Sequence, residues 1–405
     1  MNAIFDKMTE LRNLIDKRFI HRPWGYLLDY APPDGNAVIP TPDECVNGIP
    51  NVLGWSVSNE NGAFFTGLYL YALCEAYEFE PSDRLKSEIH GLCGGLFTLC
   101  DVGIHDGFIA RGVSTDGKSH YPFSSDDQAA PFILGLSKLL RSDAADENLK
   151  NEIKRRLMRT LNGIRNANWQ VPTEWEGVMR GEFYHGDWRG AANLLYIAKT
   201  CEQIGIIDSD EFNRLRNERP GAGAYTRYEI VSHGFAPDMI RDTTLIQFWI
   251  DMCAQLCTFE MASLDREYAQ YYLDGLKSNG HSVYQFFDDY KKYDNNGTIA
   301  YHYDWRVLNK YAKEWNDPAE AVSEAGRQCG IYNKEHFLRM YTEHRLLGNM
   351  LFGVWIALSS PDIPTRAYAE KKLSEVLEHT NWDTVSRSYA FAAVGAFYKS
   401  KIYER

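Results

Sequence analysis

The chain has 405 residues, with 43 Lys and Arg against 55 Asp and Glu, a net charge of −12, and 14 % aromatic residues including ten Trp and 25 Tyr. That length and a 44 % hydrophobic content permit a large buried core. The charge removes the basic footprint that nucleic acid requires, and no apolar run approaches the roughly 18 residues of a membrane span, so neither partner is expected.

Residues 3–18 show an amphipathic helix pattern with charges throughout, not the uninterrupted apolar stretch of a secretory signal. With Met1 as the native start, the chain reads as cytoplasmic. The cysteines form no CxxC pair and mostly sit inside apolar runs, which fits buried, reduced thiols. Cys253 and Cys257 stand one helical turn apart, but no second pair completes a metal site. No cofactor is implied.

Onward from residue 62 two kinds of helix alternate. Apolar nearly all round are 62–77, 128–140, 190–201, 244–259, 346–358 and 389–398, a composition that demands burial on every side. Amphipathic are 82–99, 147–165, 209–216, 262–277 and 366–378, joined by 3–18 at the start. In 147–165 the apolar positions Leu149, Ile153, Leu157, Leu161 and Ile164 recur every three or four residues. Connections from a buried helix to the next covering helix are short. The return connections, 21–61, 103–126, 166–187 and 217–241, are long and read as structureless, and long structureless loops in a compact domain usually carry function. The spacing predicts one domain over 1–405, with an insertion at about 279–340.

Three stretches carry a resemblance: NENGAFFTGLYLYALCEAYE at 59–78, SSDDQAAPFILGLSKLL at 124–140 and GDWRGAANLLYIAKTCEQIG at 186–205. In pattern the chain resembles the six-hairpin glycosidase-like superfamily. The resemblance implies an all-α fold, an (α/α)6 toroid with long loops on one rim. It also implies glycoside hydrolases, including ones acting on uronic-acid sugars, with polysaccharide lyases and sugar epimerases on related toroids; fold alone does not choose among these.

The expected starts of the buried helices are chemically dense: Ser58-Asn59-Glu60-Asn61, Ser124-Ser125-Asp126-Asp127, Tyr184-His185-Gly186-Asp187-Trp188-Arg189, Arg241-Asp242, Thr342-Glu343-His344-Arg345 and Ser386-Arg387-Ser388. Helix capping explains the acids and serines. It does not explain Arg, which the helix dipole disfavours at an N-terminus, so an acidic neighbour or an acidic ligand is required. The segment 184–189 recurs as Tyr301-His302-Tyr303-Asp304-Trp305-Arg306 with five of six positions identical, read as two walls of one pocket. Trp55 joins Trp188 and Trp305 as platforms for sugar C–H faces. Arg111 and His120, on the loop before the second buried helix, extend the substrate-binding set of Asp126, Tyr184, His185, Arg189, Asp242, His302, Asp304, Glu343, His344 and Arg345.

An inverting glycosidase needs an acid and a base carboxylate roughly 6.5–9.5 Å apart. Asp127 and Asp187 are the expected catalytic pair, because adjacent buried helices would hold them across a pocket, and Glu60 is the reserve. The expected partner is an oligosaccharide. Two other readings stand beside the hydrolase. One is a lyase with His185, His302, Tyr184 or Tyr301 as base and an Arg on the uronate; the other is a non-catalytic sugar-binding toroid.

Overall fold

The computed structural model describes residues 2–221, 223–234, 248–284, 287–335 and 338–403. The chain is all-α, with two short two-stranded sheets. In chain order the helices are α1 Asn2–Arg18, α2 Pro42–Val46, α3 Gly62–Phe79, α4 Asp83–Asp101, α5 Asp126–Leu140, α6 Glu147–Asn166, α7 Trp188–Ile204, α8 Ser209–Asn217, α9 Arg227–His233, α10 Phe248–Leu264, α11 Ala269–Ser282, α12 Pro318–Glu335, α13 Leu338–Glu343, α14 Asn349–Leu358, α15 Ile363–His379 and α16 Ala390–Ile402. The strands are β1 Ile20–His21, β2 Tyr26–Leu27, β3 Gln170–Pro172 and β4 Met179–Glu182, paired antiparallel as β1–β2 and β3–β4.

The apolar helices behave as their composition requires. Every residue of α3 from Gly62 to Ala76 is buried, and α14 and α16 are nearly as enclosed. Helix α3 packs on α5 and α16, α7 on α5 and α10, and α14 on α10 and α16. The α3–α5 contact is close enough to exclude a side chain: a Cβ at Gly67 would stand 2.2 Å from the Pro131 carbonyl oxygen. The amphipathic helices lie outside these. Helix α6 buries Ile153, Leu157, Leu161 and Ile164 against α5 and α7, each such side chain contributing about 1.5–3 kcal/mol. The Asp146 carboxylate starts it by accepting from the Leu149 N–H at 2.8 Å.

Two sequence expectations are corrected. The long connections are not structureless: 21–61 contains β2 and α2, 166–187 contains the β3–β4 hairpin, and α9 lies within 217–241. The stretch 342–345 is not a helix start. A π-turn at His344–Gly348 joins α13 to α14 in one continuous helical run, so Arg345 lies inside a helix. The first loop is tied to the entry of α16 by Arg18, whose guanidinium donates to the Ala31 carbonyl at 2.7 Å and the Val385 carbonyl at 2.8 Å.

Candidate functional site

The N-terminal ends of α3, α5 and α16, with the π-turn before α14, bring together a cluster of acids and arginines. Asp29, 1 % exposed, ties the first loop to α3 by accepting from the Asn61 backbone N–H and side-chain amide, both at 2.6 Å. Arg387, in the loop entering α16, reaches the same carboxylate at 3.3 Å. Glu60 precedes α3, and one of its oxygens accepts from the Ser56 N–H at 2.6 Å. Burial, with repulsion from Asp29, pushes the Glu60 carboxyl up to about 7. Asp29 is itself raised by burial, against the pull of Arg387 and Asn61.

Arg111 links Glu60 to α5. It is 3 % exposed, donates to the Ser125 hydroxyl at 2.7 Å and to the Glu60 carbonyl at 3.4 Å, and stands 3.8 Å from Asp127. Its Nε is buried without a partner among the described residues. Asp127 accepts from the Ser125 hydroxyl and keeps 14 % of its side chain exposed. Beside it, burial and the charge of Asp127 raise Asp126 to about 6, with His185 and Arg189 pulling the other way. Asp126 and Asp127 therefore lie in the first turn of α5, where the backbone N–H groups are free to meet negative charge.

On the far side of Arg387, Glu343 is fully buried and its carboxylate accepts from the Ser386 N–H at 3.0 Å and the Arg387 N–H at 2.6 Å. Burial raises it to about 7. It is a staple for the α16 entry, with both oxygens committed. The neighbouring His344 ring shares a 2.6 Å hydrogen bond between Nδ1 and the Tyr389 hydroxyl, and burial together with Arg387 and Arg345 lowers it to about 3. Imidazole and phenol both face neutral pH uncharged, since burial raises Tyr389.

The remaining candidates divide. Asp187 is the N-cap of α7, accepting from the Gly190 N–H at 2.7 Å. Arg189 grips Asp251 of α10 through Nε at 3.0 Å and Nη2 at 2.7 Å. His185 pairs with Glu182 at 3.1 Å, and the Tyr184 hydroxyl donates to Glu218 beneath the Arg227 guanidinium. The two YHxDWR copies do not form matching walls. Trp188 packs in the main core, whereas Trp305, 0 % exposed, is the centre of a separate cluster with Tyr30, Val57 and Tyr332, its indole donating to the Val38 carbonyl at 2.7 Å. An enclosed ring offers no face to a sugar. Asp304 caps the short helix that Trp305 opens, and both Asp304 and His302 are exposed. Arg345 is exposed and bonded to Tyr341 at 3.0 Å. His120 pairs with Glu174 at 3.1 Å and lines a cleft of about 410 Å³ with Trp175 and Trp315. Asp242 lies outside the described residues.

Three residues of the cluster escaped the sequence. Asp29 carries a signal that was there to be read, a lone acid in the apolar run Tyr26–Ala31. Tyr389 sits in a buried helix and reads as core. Arg180, on β4, which the close approach of Gly181 to Asp126 brings beside Asp126 and Asp127, carries no local signal at all. Among the described residues no group of three or more His, Cys, Asp or Glu is arranged to hold a metal ion, and no helix is long and apolar enough to cross a membrane. Comparison with family models, with curated proteins and with solved structures gives no match.

Proposed function

We propose that the chain is a carbohydrate-active enzyme on an (α/α)6 toroid, a glycoside hydrolase acting on oligosaccharides, with Glu60 as general acid and Asp127 as general base. The packing order of the apolar helices supports the toroid, since α16 meets both α14 and α3. The observation that carries the chemistry is the pair of acids on adjacent helix starts with Arg111 between them, bonded to the Glu60 backbone carbonyl on one side and 3.8 Å from the Asp127 carboxylate on the other. Glu60 is raised to about 7 and so holds a proton near neutral pH; Asp127 meets the same Arg111 from the other side. A protonated carboxyl can donate to the leaving glycosidic oxygen while the second carboxylate draws a proton from water. Asp187 stands outside this pair because it caps its own helix α7, whereas Asp127 faces Arg111.

The test is turnover of an oligosaccharide panel by the wild type, Glu60→Gln and Asp127→Asn. Loss of hydrolysis in both supports the assignment, and full turnover in either sinks it.

A second reading rests on the neutral His344–Tyr389 pair beside Arg387. That trio suits proton abstraction next to a carboxylate, as in a lyase. Product absorbance separates the two, because elimination leaves a conjugated double bond and hydrolysis does not.

A further inference from the structure

The β3–β4 hairpin crosses the first turn of α5 at a distance that only glycine allows. Gly181 has φ +85°, and a Cβ there would stand 2.3 Å from an Asp126 carboxylate oxygen and 2.6 Å from its backbone nitrogen. The adjacent residue, Arg180, is thereby held over the acids of the site. Its guanidinium carbon lies 5.8 Å from the Trp55 ring centre and feels the charges of Arg111, Asp127 and Asp126.

The arginines around this cluster are otherwise engaged. Arg111 bonds Ser125, Arg189 bonds Asp251, and Arg387 bonds Asp29. Arg180 makes no hydrogen bond or ion pair among the described residues. A half-buried guanidinium that feels the repulsion of Arg111, with no carboxylate in contact among the described residues, keeps its N–H donors available to an anion from solution. A planar fork resting near an indole presents its N–H edge for bidentate capture of an acid group.

We propose that Arg180 selects the substrate: it binds the anionic group of an acidic sugar at the mouth of the site, and Trp55 acts as a positioning residue that holds the guanidinium plane. This rests on the hydrolase reading for the location of the reacting bond and adds the substrate class to it.

The experiment is ligand-observed NMR titration with D-glucuronate, D-glucose 6-phosphate and D-glucose. The proteins are the wild type, Arg180→Ala, Arg180→Lys, Trp55→Ala and Trp55→Phe, each checked for an unchanged melting curve. The wild type is expected to bind an anionic sugar about tenfold or more tightly than glucose, the preference a charged hydrogen-bond pair supplies. Arg180→Ala should abolish that preference, while Arg180→Lys retains part of it. Trp55→Ala should weaken it and Trp55→Phe restore it. Preference for glucuronate identifies the anion as a carboxylate, and preference for the phosphate ester identifies it as phosphoryl. Equal binding of all three sugars by the wild type, or a preference that survives Arg180→Ala, overturns the proposal. The hydrolase reading fails separately: an Arg180-dependent preference without any Glu60-dependent hydrolysis retires that reading and leaves this one. Glu60-dependent hydrolysis indifferent to the anion does the reverse.

Discussion

Helices α3 and α16 carry ionisable groups at both ends, and the two ends handle burial differently. At the C-terminal end Lys399 and Glu75 are each 0 % exposed and paired with one another. Lys399 also donates to the Tyr71 hydroxyl at 2.9 Å, and Tyr71 donates to Glu260 at 2.8 Å. Glu260 receives Lys138 at 3.3 Å and Arg141 at 2.8 Å. Burial moves Glu75 up and Lys399 down in spite of their pairing, but Glu260, among three cations, is held down to about 2. At the N-terminal end Glu60 and Glu343 are pushed the other way, to about 7, and Arg111 and Arg180 have donors to spare. At the first end the unspent atom among the described residues is an acceptor, Glu75 Oε2, sealed in the core; at the other the unspent groups are arginine donors beside Asp127, which keeps 14 % of its side chain exposed. Perturbed titration marks both, so perturbation alone does not identify a site; unspent hydrogen-bonding capacity that solvent can reach does.

The largest expected effect falls on the open end. Glu60→Gln should lower kcat by about 10²–10⁴-fold, the range for a general acid, with little change in melting temperature. A variant with wild-type turnover would erase the distinction between the ends. Next comes Lys399→Met at the closed end, which strands Glu75 and should cost about 3–5 kcal/mol in denaturant unfolding while sparing turnover per folded molecule. A small loss there would mean that the pair is not what seals this end.

The pH dependence should have opposite signs for Glu260 at one end and for Glu60 and Glu343 at the other. Glu260 sits below its ordinary value of 4.5, so its contribution to stability is full above that pH and is lost as pH falls toward 2. Glu60 and Glu343 sit above that ordinary value, at about 7, so the folded state binds their protons more tightly than the unfolded state. Stability from these two declines as pH rises from 4.5 through 7. Urea unfolding across this range checks both limbs, and Glu60→Gln should flatten the upper one. In kcat/KM the same Glu60 should give a fall on the alkaline side near pH 7 that Glu60→Gln removes. The smallest effect belongs to Asp187→Ala. As a lost N-cap it should cost about 0.5–2 kcal/mol with catalysis retained, and a large loss of kcat would return Asp187 to the catalytic pair.

Much of this molecule was legible in its residues. Helices apolar all round must be buried, and those with a Leu and Ile stripe must cover them, so the alternation of α5, α6 and α7 follows from composition and period alone. The gathering of acids at helix starts was legible for the same reason, because the positive end of a helix favours them. Glu60, Asp126 and Asp127 were named this way, and they stand together with Arg111, named as a cation of the loop before the second buried helix.

What sequence could not rank was the use of chemically equivalent residues. Asp127 and Asp187 look alike in sequence, yet one faces Arg111 of the loop leading into its helix and the other closes its own helix. Trp188 and Trp305 sit in near-identical hexapeptides, yet Trp305 is sealed by residues around position 38 and from α12. Arg180 has significance only because Gly181 lets its strand lie on α5. Local pattern determined the helices and the kind of residue at their ends, since propensity and the helix dipole act within a turn or two. Which carboxyl keeps its proton and which arginine keeps a free edge was decided by tertiary structure. Desolvation and Coulomb terms depend on neighbours brought in from distant parts of the chain.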